Sequence, residues 1–165
     1  MRERYSYGQI ALHWVIALLV FAQYFTSAAI LRVHGYRPLG RPPDPFDLML
    51  QTVHTRVGLV ILALVIVRLA LRLRWGAPHW NPPLSRWRSR LSASVQYGLY
   101  SVLIGEAVTG AVAIYLWWPM SVAHRLIFWA LVALLALHLG GRANAFVTRP
   151  RETLFRIIGV RFFPR

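Results

Sequence analysis

Two histidines, His124 and His138, stand fourteen positions apart in the run "MSVAHRLIFWALVALLALHLGG", which is otherwise almost wholly apolar. Fourteen residues of helix rise about 21 Å and complete almost four turns, so both imidazoles share one helix face at two heights. His13 and His54 lie in two further apolar runs. Imidazoles that face one another in pairs suit a metal with two axial ligands, above all the iron of a flat, apolar porphyrin held between helices. Zinc or copper would want three or four ligands at one point, and two imidazoles per height are too few. The competing reading is that these histidines only hydrogen-bond between packed helices.

The elements that must position them are long. The chain has 165 residues, 57% of them hydrophobic, with no cysteine and no lysine. Without cysteine, disulfides, thiolate zinc sites and iron–sulfur clusters within the chain are excluded. Four apolar runs are each long enough to cross a hydrocarbon core of about 30 Å. They cover roughly 10–31, 46–71, 91–117 and 120–141, followed by a basic tail over 142–165. The fold expected is all-α: a four-helix transmembrane bundle with both termini cytoplasmic, formed as one membrane domain over 1–165. The first run is too long for a cleaved signal peptide and carries His13 and Gln23.

The formal net charge is +14. Arginines crowd the N-terminal arm (Arg2, Arg4), the link after the second run (Arg72, Arg74, Arg86, Arg88, Arg90) and the tail from Arg142 onward. The first link sets Arg32, Arg37 and Arg41 beside Asp44 and Asp47, and the turn "WWPMS" has no charge. Four spans put the arginine-rich segments on one side, which the positive-inside rule makes the cytoplasmic side of a bacterial inner membrane. The charge therefore reads as topology, not as a nucleic-acid footprint. The tail "RETLFRIIGVRFFPR" alternates basic and bulky apolar residues and is expected to lie along the inner surface.

Helix direction assigns depth. His13 and His138 fall near the inner end and His54 and His124 near the outer end, giving an inner pair and an outer pair. Gly58 follows His54 by one turn and would let a flat ring pack close to the backbone. Arg68 lies on the His54 face at the inner height, and Arg142 lies one turn beyond His138. Both suit a propionate, and both suit snorkelling to the interface. Arg56 and Arg125 stand near the outer pair. Glu106 lies near the middle of the third run, as a proton relay or as a paired structural group. His34 and His79 lie in links and read as ordinary exposed residues.

The segments "YSYGQIALHW", "VHTRVG", "VIVRLALRL" and "AHRLIFWALVALLALH" together resemble the bacterial cytochrome b-561 family, which extends to the b-type subunits of nickel–iron hydrogenases. The resemblance covers nearly the whole chain. It implies a four-helix bundle with two haem b groups whose axial ligands map onto His13, His54, His124 and His138. It departs at Gln96, where a histidine is expected, and at Ala107, where a proline is expected. Members that oxidise superoxide and reduce ubiquinone make one function the sharpest: electron transfer between a small anionic outer-face donor and the quinone pool. Ser6 and Gln9, with Arg68 and Arg142, are then candidates for a quinone carbonyl at the inner end. Arg32, Arg37 and Arg41 would steer the anion. Two alternatives stand beside this. One is an electron-accepting anchor subunit for a hydrogenase or another periplasmic redox enzyme, and the other is a non-redox membrane protein with packing histidines.

Overall fold

The computed structural model describes residues 5–36, 40, 42–76, 85–150 and 153. Four long helices follow one another: α1 (Tyr7–Tyr36), α2 (Pro45–Trp75), α3 (Arg86–Tyr115) and α4 (Ser121–Thr148). A short 3-10 turn, Trp118–Met120, joins α3 to α4. Among the described residues there is no strand. Thirty helical residues span about 45 Å, more than the hydrocarbon thickness requires; α1 and α2 extend past their apolar runs at both ends, α3 only at its start and α4 only at its end.

Local chemistry fixes the helix starts. At α1, Ser6 and Gln9 form a reciprocal capping box. The Ser6 backbone N–H donates to Gln9 Oε1 at 3.1 Å, and the Gln9 N–H donates to Ser6 Oγ at 3.3 Å. At α2, Asp44 accepts from the Phe46 N–H at 2.7 Å, with Pro45 as the first helical residue. Ser85 caps α3. Gly76 closes α2 with φ of 67°, a left-handed value that suits glycine. Pro119 sits in the turn that separates α3 from α4.

The last helix differs most from expectation. Its apolar run ends at Gly140–Gly141, yet α4 continues to Thr148. Arg142 therefore belongs to the helix and not to a tail. The remainder of the tail lies outside the described residues apart from Arg149, Pro150 and Thr153. Thr153 is fully buried, and its hydroxyl donates to the Ala145 carbonyl at 3.0 Å.

α1, α3 and the unit formed by the 3-10 turn with α4 are long and apolar enough to cross a membrane. Only 11%, 6% and 6% of their most apolar windows are buried within the protein. Apolar surface of that extent, left outside the bundle, calls for lipid to cover it. α2 is as long, and it carries Asp47, Arg56, Arg68, Arg72 and Arg74. The chain is thus a helical membrane bundle whose four antiparallel helices bring the start of α1 and the end of α4 to one end.

Packing is uneven. α1 lies along α2, α2 along α3, and α3 along α4. The buried core of Ile16, Ile61 and Val65, flanked by Leu12, Leu64, Tyr100 and Ile104, draws on α1, α2 and α3 alone. Among the long helices, α4 packs closely against α3 only, as α1 does against α2. The backbone of α4 stands off from the α1–α2 pair across a slot that side chains such as His13 and His138 span.

Candidate haem-binding site

The histidines of α4 face this slot at two levels. At the terminal level, near the start of α1, the rings of His13 and His138 face each other with centroids 6.2 Å apart and planes inclined at 67°. A metal about 2 Å from one nitrogen of each imidazole sets two ring centres about 6 Å apart, so the spacing suits one ion between them. Trp14 lies beside His13, with ring centroids 5.7 Å apart.

At the far level, His54 of α2 lies within charge–charge range of His124 of α4. Their hydrogen bonds suit one tautomer of each ring. With the Thr26 hydroxyl donating to the Gln23 carbonyl at 3.1 Å, its oxygen is free to accept from His54 Nδ1–H at 3.0 Å. The Gln23 amide in turn donates to the His54 carbonyl at 2.8 Å. His124 Nδ1 lies 3.0 Å from the Glu106 carbonyl and 3.0 Å from Glu106 Oε2. A carbonyl can only accept, so His124 Nδ1 carries the proton. In both rings Nε2 is left with its lone pair, the form in which imidazole binds metal, with the second nitrogen held by a protein acceptor. The donor set, the tautomers and the slot fit a bis-imidazole haem. Among the described residues no three His, Asp or Glu side chains gather into a cluster that could hold a metal ion.

Arginines collect at the terminal level. Arg68 donates to the Gln9 carbonyl at 2.6 Å. The guanidinium thus reaches from within α2 toward the start of α1. Arg72 donates to the Tyr5 hydroxyl at 3.0 Å and to Gln96 Oε1 at 3.0 Å. Arg68 and Arg142 both lie within charge–charge range of His13 and His138, and Arg142 also lies near Arg72. No carboxylate is bonded to any of the three among the described residues; the two acid–base contacts there are Arg32–Asp47 and His124–Glu106. Tyr5, Gln9, Arg68, Arg72, Gln96 and Tyr100 line a small polar recess beside this level.

Several sequence expectations take a different form. Ser6 and Gln9 spend their side-chain hydrogen bonds on the α1 cap, though Gln9 also lines the recess. Over Gly58 stands the Gln23 amide, whose Nε2 would be 3.3 Å from an added Cβ. Arg32 is not an open cation. Its guanidinium meets the buried Asp47 carboxylate in a bidentate pair, at 2.9 Å and 2.6 Å, that ties the end of α1 to the start of α2. Arg37 and Arg41 lie outside the described residues, as does His79. Arg56 and Arg125 are exposed. His34 is half-buried, its ring stacked on Trp118 with centroids 3.5 Å apart and planes 5° from parallel. Sequence reading noted Gln23 and Arg72 without giving them a site role, and passed over Thr26 and Thr109. The signal for Gln23 and Thr26 was a pair of polar residues inside an apolar run.

A membrane bundle with paired imidazoles facing a slot is the architecture of a membrane-bound b-type cytochrome. A family model described as prokaryotic cytochrome b561 matches residues 4–159, and the chain belongs to that family, which implies b-type haem and electron transfer. It is similar to "Cytochrome b561 homolog 1" of Escherichia coli (strain K12), 26% identical over 108 residues, 66% of this chain and 57% of that protein. It is also similar to "Probable superoxide oxidase CybB" of Yersinia pestis, 25% identical over 115 residues, 70% of this chain and 60% of that protein. The chain thus matches under two thirds of the length of these curated relatives.

Proposed function

We propose that the chain is an inner-membrane di-haem cytochrome that carries electrons from a small anionic donor, superoxide, at the outer face to quinone at the cytoplasmic end. His13 and His138 hold one haem b and His54 and His124 the other. Bound there, each haem supplies a one-electron Fe(III)/Fe(II) couple. Arg68 and Arg142 bind propionates at the terminal level, the helices exclude water, and the arginine-rich end faces the cytoplasm. Two superoxide ions each give up one electron and leave as dioxygen. The two electrons, with two protons taken from the cytoplasmic side, convert one quinone to quinol. The recess beside Arg72, Gln96 and Tyr100 offers a quinone carbonyl its hydrogen-bond donors, with Ser6 and Gln9 forming the turn that borders it. At the outer face Arg37 and Arg41 supply the attraction, because Asp47 neutralises Arg32.

The observation that carries this reading is the facing of His13 and His138 at 6.2 Å across a slot that α4 leaves open. The test mixes superoxide with oxidised protein in proteoliposomes and follows haem absorbance by stopped flow, with and without a quinone analogue. Expected are rapid reduction, slowed by salt because exposed charges are screened within about 8 Å at physiological ionic strength, and reoxidation by quinone. No reduction by superoxide together with no exchange with quinol overturns it in favour of an electron-accepting anchor subunit.

A further inference from the structure

The two far-level histidines are held unequally. His54 gives its Nδ1–H to a neutral hydroxyl, that of Thr26. His124 gives its Nδ1–H to the Glu106 main-chain carbonyl at 3.0 Å, and the carboxylate oxygen Oε2 of the same residue lies 3.0 Å from that nitrogen as a charge contact. Thr109 Oγ1 stands 3.3 Å from the same nitrogen and itself donates to the Gly105 carbonyl at 2.6 Å. Gly110 makes this approach possible, since an added Cβ there would lie 3.1 Å from His124 Cε1. The other carboxylate oxygen, Glu106 Oε1, is buried with no hydrogen-bond partner among the described residues. Arg125, the residue after His124, is exposed and lies within charge–charge range of the same imidazole. The charge of the Glu106 carboxylate is thus set beside one imidazole of the far level, that of His124.

We propose that Glu106 is a positioning residue for His124 that tunes the far-level centre. Its main-chain carbonyl holds Nδ1–H, and its carboxylate, 3.0 Å from the same nitrogen, sets negative charge beside the ring and makes it a stronger electron donor. A ligand imidazole with a carboxylate against its outer N–H edge is more basic than one that meets only neutral groups. A more basic ligand favours the oxidised metal, so Glu106 lowers the potential of the centre that His124 ligates. At Gln96 and Ala107 α3 departs from the residues that the family resemblance leads one to expect, and Glu106 lies on that same helix.

The inference rests on the two-haem reading, and one set of measurements separates the two. Wild-type protein is titrated spectropotentiometrically, and its ferric form is examined by electron paramagnetic resonance. Two low-spin six-coordinate centres uphold the reading, and one centre or none removes it along with the inference. Given two centres, Glu106→Gln is expected to move one midpoint to higher potential and leave the other in place. The low-spin signal of the moved centre should shift with it. The Glu106 main-chain carbonyl still holds His124 Nδ1–H in this variant, so ligation should persist. Midpoints that both stay, or that move together, overturn the role of Glu106. If Glu106→Gln loses a haem, Glu106→Asp decides: a single midpoint above the wild-type value supports the proposal, and unchanged midpoints overturn it.

Discussion

The two histidine levels offer the same side-chain type in different surroundings. At the terminal level Arg68 and Arg142 lie within charge–charge range of His13 and His138, Arg72 lies near Arg142, and no carboxylate is bonded to them among the described residues. At the far level the groups around His54 and His124 are Thr26, Gln23, Thr109 and the Glu106 carboxylate, with the exposed Arg125 in charge–charge range of His124. Cations favour the added electron and a carboxylate disfavours it, the more so in a medium of low dielectric. Identical ligands can thus be made unequal by what lies one contact beyond them. The proposed path then runs downhill from the Glu106 level to the arginine level.

The largest expected effect comes from removing a ligand. His13→Ala or His138→Ala should take the haem content of purified protein from two per chain to one by pyridine haemochrome, with the far-level spectrum retained. His54→Ala or His124→Ala should do the reverse. If His13→Ala and His54→Ala abolish the same spectroscopic species, the two-level division is wrong.

Next in size is the terminal-level field. Arg68→Ala or Arg142→Ala should lower the midpoint of the terminal centre alone, by roughly 59 mV if the redox equilibrium changes about tenfold. Equal movement of both midpoints would show that the cations act on the whole bundle and not on one level. A smaller effect is expected from Thr26→Val, which removes a neutral acceptor from His54. It should shift the far-level centre by less than Glu106→Gln does, and an equal or larger shift would make the hydroxyl, not the carboxylate, the main influence there. The smallest change is expected from Arg32→Ala in superoxide-driven haem reduction. Arg32 already faces Asp47, so the rate should stay within about twofold, as for an exposed charge whose field is largely cancelled and screened. A many-fold slowing would return Arg32 to the steering role.

Much of the architecture was readable because a membrane span is a composition as well as a pattern. The four runs and the order of the histidines follow from apolar length and helix rise alone. Rotation was harder. These helices are apolar nearly all round, so no polar stripe says which face meets which neighbour. His124 and His138 could be phased against each other on one helix. The contact between Glu106 and His124 depends on how α3 is turned against α4, and it was invisible. Arg32 and Asp47 were both noticed in the first link, yet their pairing depends on α1 continuing past residue 31 to bring the guanidinium to α2. The end of α4 was misplaced at Gly140–Gly141 because two glycines weaken a helix on propensity alone. Carrying the helix onward sets Arg142 beside the terminal-level histidines, a tertiary outcome that propensity does not contain.

The one-sided seating of α4 bears on how the molecule is made and kept. α1, α2 and α3 share a buried core, while α4 is joined to them along α3 and its turn. Across the slot, imidazoles stand where other bundles place leucines. If those imidazoles ligate haem as proposed, prosthetic-group supply would act as an assembly checkpoint. A newly inserted chain would pair each helix with the next, and the link from α4 back to α1 and α2 would close only when porphyrin arrives. In haem-starved cells the chain should turn over faster, with cleavage by membrane proteases beginning in α4, and restoring haem should lengthen its lifetime without any change in its synthesis.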